Sequence, residues 1–330
     1  MIAFSEPARY SSTRTLGEGG IEVSRLCLGT WQSGASLHGE ELARGIATMR
    51  AGFDSGINFF DTAASYGDGG AEVMLADALW VGGHCRRDEV VVATKGGVLP
   101  DGRRNSTRSS LTAELEASLR RLRTDYVDIF FVHWPDPKTA PESLAETLAG
   151  FVASGKARLT GVSNYARAEL AELSGLGVVQ VIQPPYHLFR RSEAESLMSL
   201  ASDFGMGVCT YAPMAHGLLS GAVTRSTRFP ASDWRARSRL FSGPEEADRI
   251  DVVEELARIA MDCEITLGQL AVAWVLSNPC VDSCVFGAQA PEQLHAVRQD
   301  VSLSIEILRR IEELVESVPQ VGGPTPEGFW

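Results

Sequence analysis

Ile57-Asn58-Phe59-Phe60-Asp61-Thr62-Ala63-Ala64-Ser65-Tyr66-Gly67 is an apolar strand that gives way, at an acid, to a loop ending in Gly67-Asp68-Gly69-Gly70. A β-strand that stops at a polar residue and passes through glycines into an amphipathic segment is one βα unit of a parallel sheet. Within it, Asp61 and Tyr66 place an acid and a phenol where buried strand becomes loop. That is half of a proton-transfer site, and the other half has to come from another part of the chain.

Outward from this stretch the unit repeats. Eight short apolar, β-branched or aromatic runs are read as strands: Val23 to Thr30, Asn58 to Ala63, Val90 to Gly96, Tyr126 to Trp134, Leu159 to Asn164, Val178 to Pro184, Gly207 to Pro213 and Ser283 to Ala288. Helical spacing fills the intervals, as in Leu111, Leu115, Leu119 and Leu122, with Ser109 and Ser110 as candidate caps. Pro141 to Ala153, Ala166 to Leu173, Glu193 to Phe204, Asp248 to Cys263 and Thr266 to Ser277 read the same way. Eight such units predict an α/β fold, a closed (β/α)8 TIM barrel of about 250 residues plus insertions.

The rival, a doubly wound open sheet, calls for Gly-x-Gly-x-x-Gly directly after its first strand, and none is there. Gly17-Glu18-Gly19-Gly20 precedes that strand and predicts the turn of an N-terminal β-hairpin. The chain is therefore expected to be one barrel domain over about residues 14–317, with a loosely ordered Pro- and Gly-rich tail at 318–330. The longest interval, Pro213 to Ser283, predicts a long loop after the seventh strand. Its irregular first part, with the Arg-rich stretch Arg225 to Arg239, is a candidate lid.

A net charge of −12 without a basic run argues against nucleic acid as a partner. The six cysteines form no CxxC pair and sit mostly among apolar residues, which suits reduced thiols. Met1 to Pro7 carries no basic segment followed by an apolar one, and no apolar run approaches the roughly 20 residues of a membrane span. A cytoplasmic protein with a small-molecule partner and no membrane partner is expected. No heptad or exposed edge strand supports an oligomeric partner.

The polar residues at the strand ends carry the chemistry, because in a barrel the carboxyl ends of all strands face one mouth. They are Asp61, Lys95, His133, Ser163-Asn164, Gln183 and Tyr211. Each alone has a plainer reading, as a turn residue, a solvated lysine or a packed ring. Together they converge. An unpaired charge at the end of Phe59-Phe60 or of Val90-Val91-Val92-Ala93 would cost several kcal/mol, so Asp61 and Lys95 are expected to pair. A cation near the Tyr66 phenol favours phenolate and lowers its pKa from about 10, which suits proton transfer near neutral pH. His133 can hydrogen-bond a carbonyl oxygen.

With these residues in place the chain resembles the aldo-keto reductase family from Arg14-Thr15-Leu16-Gly17 to Glu292-Gln293-Leu294. The likeness rests on Leu28-Gly29-Thr30-Trp31, Asp61-Thr62-Ala63-x-x-Tyr66-Gly67, Thr94-Lys95, His133-x-x-Asp136, Gly161-Val162-Ser163-Asn164, Gln183 and Tyr211-x-Pro213. Within the family it is most similar to bacterial reductases related to the beta subunits of voltage-gated potassium channels. The resemblance implies NADPH, or NADH, as cofactor and a carbonyl substrate. It also implies a catalytic tetrad of Asp61, Tyr66, Lys95 and His133 with Tyr66 as proton donor.

The same resemblance implies cofactor contacts. Ser163, Asn164 and Gln183 would meet the carboxamide and Tyr211 would stack on the nicotinamide, with Gly29, Thr30, Trp31 and Asp61 lining the cleft. Ala212, Pro213 and Met214, followed by Gly217 and Leu218, would meet the pyrophosphate, and Gly287, Gln289 and Gln293 would lie on the adenine side. Trp31, Tyr66, His133 and Trp134 would bound the substrate. Two positions depart from the family pattern: Ala222 follows Ser220-Gly221 where relatives often carry lysine, and Ala296-Val297 replaces the usual Glu-Asn. The adenine-side contacts and the choice between NADPH and NADH therefore stay open, with Arg235, Arg237 and Arg239 as alternative cations.

Three other readings stand beside carbonyl reduction. One is a keto-sugar nucleotide reductase in natural-product biosynthesis. Another makes Lys95 a Schiff-base nucleophile, as in an aldolase. The last is a cofactor-binding sensor or regulatory subunit.

Overall fold

The computed structural model describes residues 12–18, 20–32, 38–297 and 301–322. Eight parallel strands close into a barrel: β3 (Leu26–Gly29), β4 (Phe59–Asp61), β5 (Val91–Gly96), β6 (Val127–Val132), β7 (Ala157–Ser163), β8 (Val181–Gln183), β9 (Gly207–Tyr211) and β10 (Ser283–Gly287), with β10 paired to β3. Crossovers run through α1 (Gly39–Asp54), α2 (Gly70–Ala78), α3 (Arg108–Leu122), α4 (Pro141–Ala153), α5 (Arg167–Ser174) and α6 (Ser192–Asp203). They continue through α7 (Glu246–Asp262) and α8 (Leu267–Ser277), and α9 (Ile305–Val315) follows the last strand. No single helix among the described residues is long and apolar enough to cross a membrane. Gly19, residues 1–11 and the tail beyond 322 lie outside the described residues, so the readings of Met1 to Pro7 and most of the tail do too.

Strand residues alternate between two cores. Leu26, Leu28, Phe60, Val92, Phe130, Val132, Ile182, Val208 and Phe286 pack outward with the helices. Cys27, Phe59, Val91, Ala93, Ile129, Phe131, Val181, Cys209 and Val285 fill the barrel interior. Side chains in a strand repeat every two residues, so the next inward positions toward the carboxyl ends are Gly29, Asp61, Lys95, His133, Ser163, Gln183, Tyr211 and Gly287. One period-2 pattern thus supplies both the barrel filling and the polar mouth above it.

The first predicted strand is in fact two. β1 (Thr13–Thr15) and β2 (Glu22–Ser24) form the antiparallel N-terminal hairpin, and the chain breaks at Arg25 before entering the barrel as β3. Ser24 causes the break: its backbone N–H donates to Asn58 Oδ1 at 2.7 Å and its hydroxyl to the Leu26 carbonyl at 2.6 Å. The hairpin carries Leu16, Ile21 and Val23 into the inner core and so closes the amino-terminal end. A second correction concerns α3, which begins at Arg108 after Thr107, so Ser109 and Ser110 lie inside the helix and do not cap it. The loop before it is drawn back by Ser106 N–H donating to Asp136 Oδ2 at 3.0 Å.

Gly161 on β7 shows how tightly the interior is filled. A Cβ there would stand 2.3 Å from the Val181 carbonyl and 2.6 Å from the Phe131 ring. Gly161→Ala is expected to destabilise the barrel by about 1–3 kcal/mol in equilibrium denaturant unfolding, because the Phe131 side chain and strand β8 cannot both recede in a close-packed interior.

Candidate active site

Asp61, the last residue of β4, and Lys95 of β5 reach the mouth from adjacent strands, 3% and 2% exposed. Lys95 Nζ donates to Asp61 Oδ1 at 2.5 Å, to the Thr62 carbonyl at 3.0 Å and to the Tyr66 hydroxyl oxygen at 3.2 Å. An ammonium has three protons and no acceptor, so these three partners use all of them. The other carboxylate oxygen of Asp61 accepts from Gln183 Nε2 across the barrel at 2.8 Å. Both members of the buried pair are thereby satisfied, which offsets a desolvation cost of several kcal/mol per ion.

Tyr66 is held beside β5 by the loop that follows β4. Thr62 N–H donates to the Ala93 carbonyl at 2.9 Å, Ala64 N–H to the Lys95 carbonyl at 3.0 Å and Tyr66 N–H to the Ala63 carbonyl at 3.1 Å. Behind the loop, the fully buried carboxylate of Glu72 on α2 accepts from Thr94 Oγ1 at 2.5 Å and from Arg121 Nε at 2.6 Å, clamping α2 to β5 and α3. Since Lys95 donates to the phenolic oxygen, the hydroxyl proton of Tyr66 is directed away from the ammonium. Trp31 packs on Tyr66 with Ala63 and Ala71.

His133 follows β6, 3% exposed, with its ring edge-on to Tyr66 at 5.7 Å between centroids. Its backbone is fixed by donation to the Gly96 carbonyl at 2.9 Å and by Asn164 Nδ2 donating to its carbonyl at 2.9 Å. Nδ1 lies 3.5 Å from Ser65 Oγ, a weak contact, and Nε2 has no partner among the described residues. Burial first, and then the nearby Lys95 and Arg104 charges, hold its pKa well below 6.5. The ring is neutral at physiological pH, suited to donating one hydrogen bond.

Two further histidines, His187 buried and His216 half-buried, behave alike. His187 is held well below 6.5 by burial and by His216, Arg190 and Arg249, and His216 is lowered to about 4 by burial, Arg190 and Arg235. These folded values lie below the unfolded value near 6.5, so unfolding below pH 6.5 takes up protons. Stability that is present above 6.5 is lost as the pH falls toward about 4. Urea melts between pH 7.5 and 5 are expected to show this loss. His187→Asn should shallow the slope by up to about 1.4 kcal/mol per pH unit.

The carboxamide candidates form one hydrogen-bonded row. Tyr211 OH donates to Asn164 Oδ1 at 2.7 Å, Asn164 Nδ2 to Ser163 Oγ at 3.2 Å, and Ser163 Oγ to the Gln183 carbonyl at 2.9 Å. Gln183 Oε1 has no partner among the described residues, and the Thr30 hydroxyl is buried without one. Gln183 Oε1 therefore stands ready as an acceptor for an amide N–H, and this row fits a nicotinamide. The backbone around it is unusual: Asn164 has φ 63°, and the β9 loop holds Ala212 at 59°, Ala215 at 47° and His216 at 54°. Non-glycine residues in the left-handed region cost about 1–3 kcal/mol each and cluster at ligand sites.

Not every expected contact gathers here. Pro213 is buried and Met214 and Gly217 are half-buried in the β9 loop, whereas the Leu218 side chain belongs to the outer core. Gly287 ends β10 beside Gly29, and Gln289 and Gln293 are exposed, joined by Gln293 Oε1 accepting from Gln289 N–H at 2.8 Å. Trp134 is buried, and Arg104 lies over it with the guanidinium carbon 4.4 Å from the ring centroid.

The Arg-rich stretch is anchored. Arg225 pairs with Asp251 and Glu254, and Arg235 pairs with Asp233 at 2.6 Å while stacking on Phe229. His216, Trp234, Phe241 and Phe229 form a chain of edge-on rings that ties it to the β9 loop. Of the alternative cations, Arg237 and Arg239 are exposed without a carboxylate partner among the described residues. Sequence reasoning missed Arg104, the Gln183–Asp61 bond and the histidine cluster, because each depends on contacts between separate segments of the chain that no spacing encodes.

A closed parallel barrel with a buried Asp–Lys pair, a phenol and a neutral imidazole at its carboxyl mouth defines a barrel oxidoreductase. The chain belongs to the aldo/keto reductase family, whose profile matches residues 25–316. It is similar to the aldo-keto reductase YhdN of Bacillus subtilis, at 35% identity over 292 residues, covering 86% of this chain and 87% of that protein. It is also similar to a probable voltage-gated potassium channel subunit beta of Oryza sativa subsp. japonica, at 33% identity over 328 residues, 93% of this chain and 97% of that one. Among solved structures, the glycerol dehydrogenase AKR11B4 from Gluconobacter oxydans superposes with a TM-score of 0.85 at 30% identity, covering 95% of this chain and 98% of that one. The family as a whole uses NADPH or NADH.

Proposed function

We propose that this chain reduces an aldehyde or ketone to the alcohol with NADPH or NADH, Tyr66 being the proton donor. The observation that carries the reading is the full commitment of the Lys95 ammonium, with Tyr66 as one of its three acceptors. A lysine so held is a fixed charge. A Schiff-base nucleophile needs a free amine lone pair, so the aldolase reading loses its support.

Ser163, Asn164 and Gln183 would hold a dihydronicotinamide, which would supply the hydride that the carbonyl carbon takes up. His133, neutral, donates a hydrogen bond from Nε2 to the carbonyl oxygen and holds it near Tyr66. As the C=O π pair moves onto oxygen, the Tyr66 hydroxyl releases its proton to that oxygen, and the phenolate left behind is stabilised by Lys95. Asp61 keeps Lys95 charged and in place, and Gln183 keeps Asp61 from rotating. Solvent returns the proton to Tyr66. Run backward, the same sequence oxidises an alcohol, which accords with the name of the glycerol dehydrogenase relative.

The free thiols at Cys27, Cys85, Cys209, Cys263, Cys280 and Cys284 suit a reducing, cytoplasmic compartment. The reaction is tested by supplying NADPH or NADH deuterated at C4 with a panel of aldehydes. One deuterium per product alcohol, and no adduct trapped on Lys95 by borohydride, is the expected result. A trapped adduct without cofactor oxidation would overturn the reading.

A further inference from the structure

Arg104 sits in the loop between β5 and α3, which folds into a short hairpin through the Val98–Arg104 bridge and the Leu99 N–H bond to the Arg103 carbonyl at 2.9 Å. Two adjacent arginines there have different fates. Arg103 is neutralised by Asp101 at 2.6 Å. Arg104 is exposed, stacks on Trp134 at 4.4 Å and has no carboxylate partner among the described residues. Asp136, the acid that ties this loop to the β6 end, is already occupied by Ser106 N–H at 3.0 Å, Lys138 N–H at 3.0 Å and the Thr139 hydroxyl at 2.8 Å.

Arg237 and Arg239 are also exposed without a carboxylate partner among the described residues, and what sets Arg104 apart is its position over Trp134. Trp134 is the next residue after His133, and the Arg104 charge is felt at that imidazole. The indole N–H of Trp134 is also buried without a partner, a second donor in the residue on which the guanidinium rests. Stacking fixes the plane of the guanidinium and leaves its N–H edge for a ligand. A planar fork of this kind matches a carboxylate or phosphate bidentately.

Resting on the reductase reading above, we infer that Arg104, presented on Trp134, is the specificity residue for a carbonyl substrate bearing an anionic group, carboxylate or phosphate, a few atoms from the reacting carbon. The anion binds at the β5–α3 loop on the His133 side of the mouth. The Arg-rich stretch after β9 has no part in this recognition.

The test uses aldehyde pairs that differ in charge: 4-carboxybenzaldehyde against 4-methylbenzaldehyde, succinic semialdehyde against butanal, and glyceraldehyde 3-phosphate against glyceraldehyde. The carboxylate and phosphate arms identify which anion is preferred. The wild type is expected to favour the charged member of at least one pair, and added salt should erode that preference. Arg104→Met should lower kcat/KM for that member at least tenfold, mainly through KM, against threefold or less for its neutral partner. Arg104→Lys should recover part of the loss, and Arg103→Met, in the same loop, should leave the ratio unchanged. Equal losses for both members of every pair, or no preference for charge in the wild type, would overturn the assignment. Turnover of the neutral aldehydes tests the reductase reading separately. If none turns over, calorimetry with benzoate, inorganic phosphate and benzamide decides: benzoate or phosphate binding lost in Arg104→Met upholds the anion site, and unchanged binding sinks it.

Discussion

Tyr66→Phe is expected to lower kcat/KM for carbonyl reduction by about 10²–10⁴-fold, the range in which a positioned acid contributes, or about 2.7–5.4 kcal/mol of transition-state stabilisation. The variant keeps the ring that packs with Trp31, Ala63 and Ala71, so the mouth retains its shape. It loses the phenolic proton that is transferred to the carbonyl oxygen. It also strips one of the three acceptors from the buried Lys95 ammonium, an unsatisfied donor that costs about 1–3 kcal/mol of stability. NADPH and NADH affinity, followed by fluorescence titration, should stay within a few-fold of wild type, since Ser163, Asn164 and Gln183 are untouched. Near-normal turnover by Tyr66→Phe would remove the phenol from the reaction and leave water or His133 as proton source.

Lys95→Met separates the two tasks of the ion pair. Asp61 is 3% exposed, and without the ammonium its charge keeps only the Gln183 bond at 2.8 Å. Removing one partner of a buried pair typically costs about 3–5 kcal/mol, so the variant should unfold at markedly lower urea concentration. Adding Asp61→Asn should restore much of that stability, because two neutral side chains carry no unpaired charge. Activity should not return in the double variant, since the phenolate formed at Tyr66 has lost its cation. A double variant as active as wild type would mean that the pair serves folding alone.

Much of the site was legible in the chain because barrel geometry converts sequence order into position. Asp61, Lys95, Gln183 and Tyr211 each stand two residues after an inward core residue, Phe59, Ala93, Val181 and Cys209, so a period-2 reading places them at one mouth. The hairpin was legible from its glycine turn, whereas the break at Arg25 was not. It depends on Ser24 bonding to Asn58, a contact between segments separated by 34 positions. The helix start at Arg108 was misplaced for a related reason, since Asp136 of another loop draws Ser106 into position.

Alternation of apolar runs with amphipathic segments, and the order of polar residues at the run ends, therefore determined the barrel and brought Asp61, Lys95 and His133 to one mouth. Those signals are local and repeat with a fixed period. Only the tertiary structure decided that Lys95 spends all three protons, that Gln183 braces Asp61, that His133 is neutral, and that Arg104 rather than Arg103 is left uncompensated beside the mouth. Each of these depends on which separate segments of the chain meet, and burial and close packing set that for the molecule as a whole.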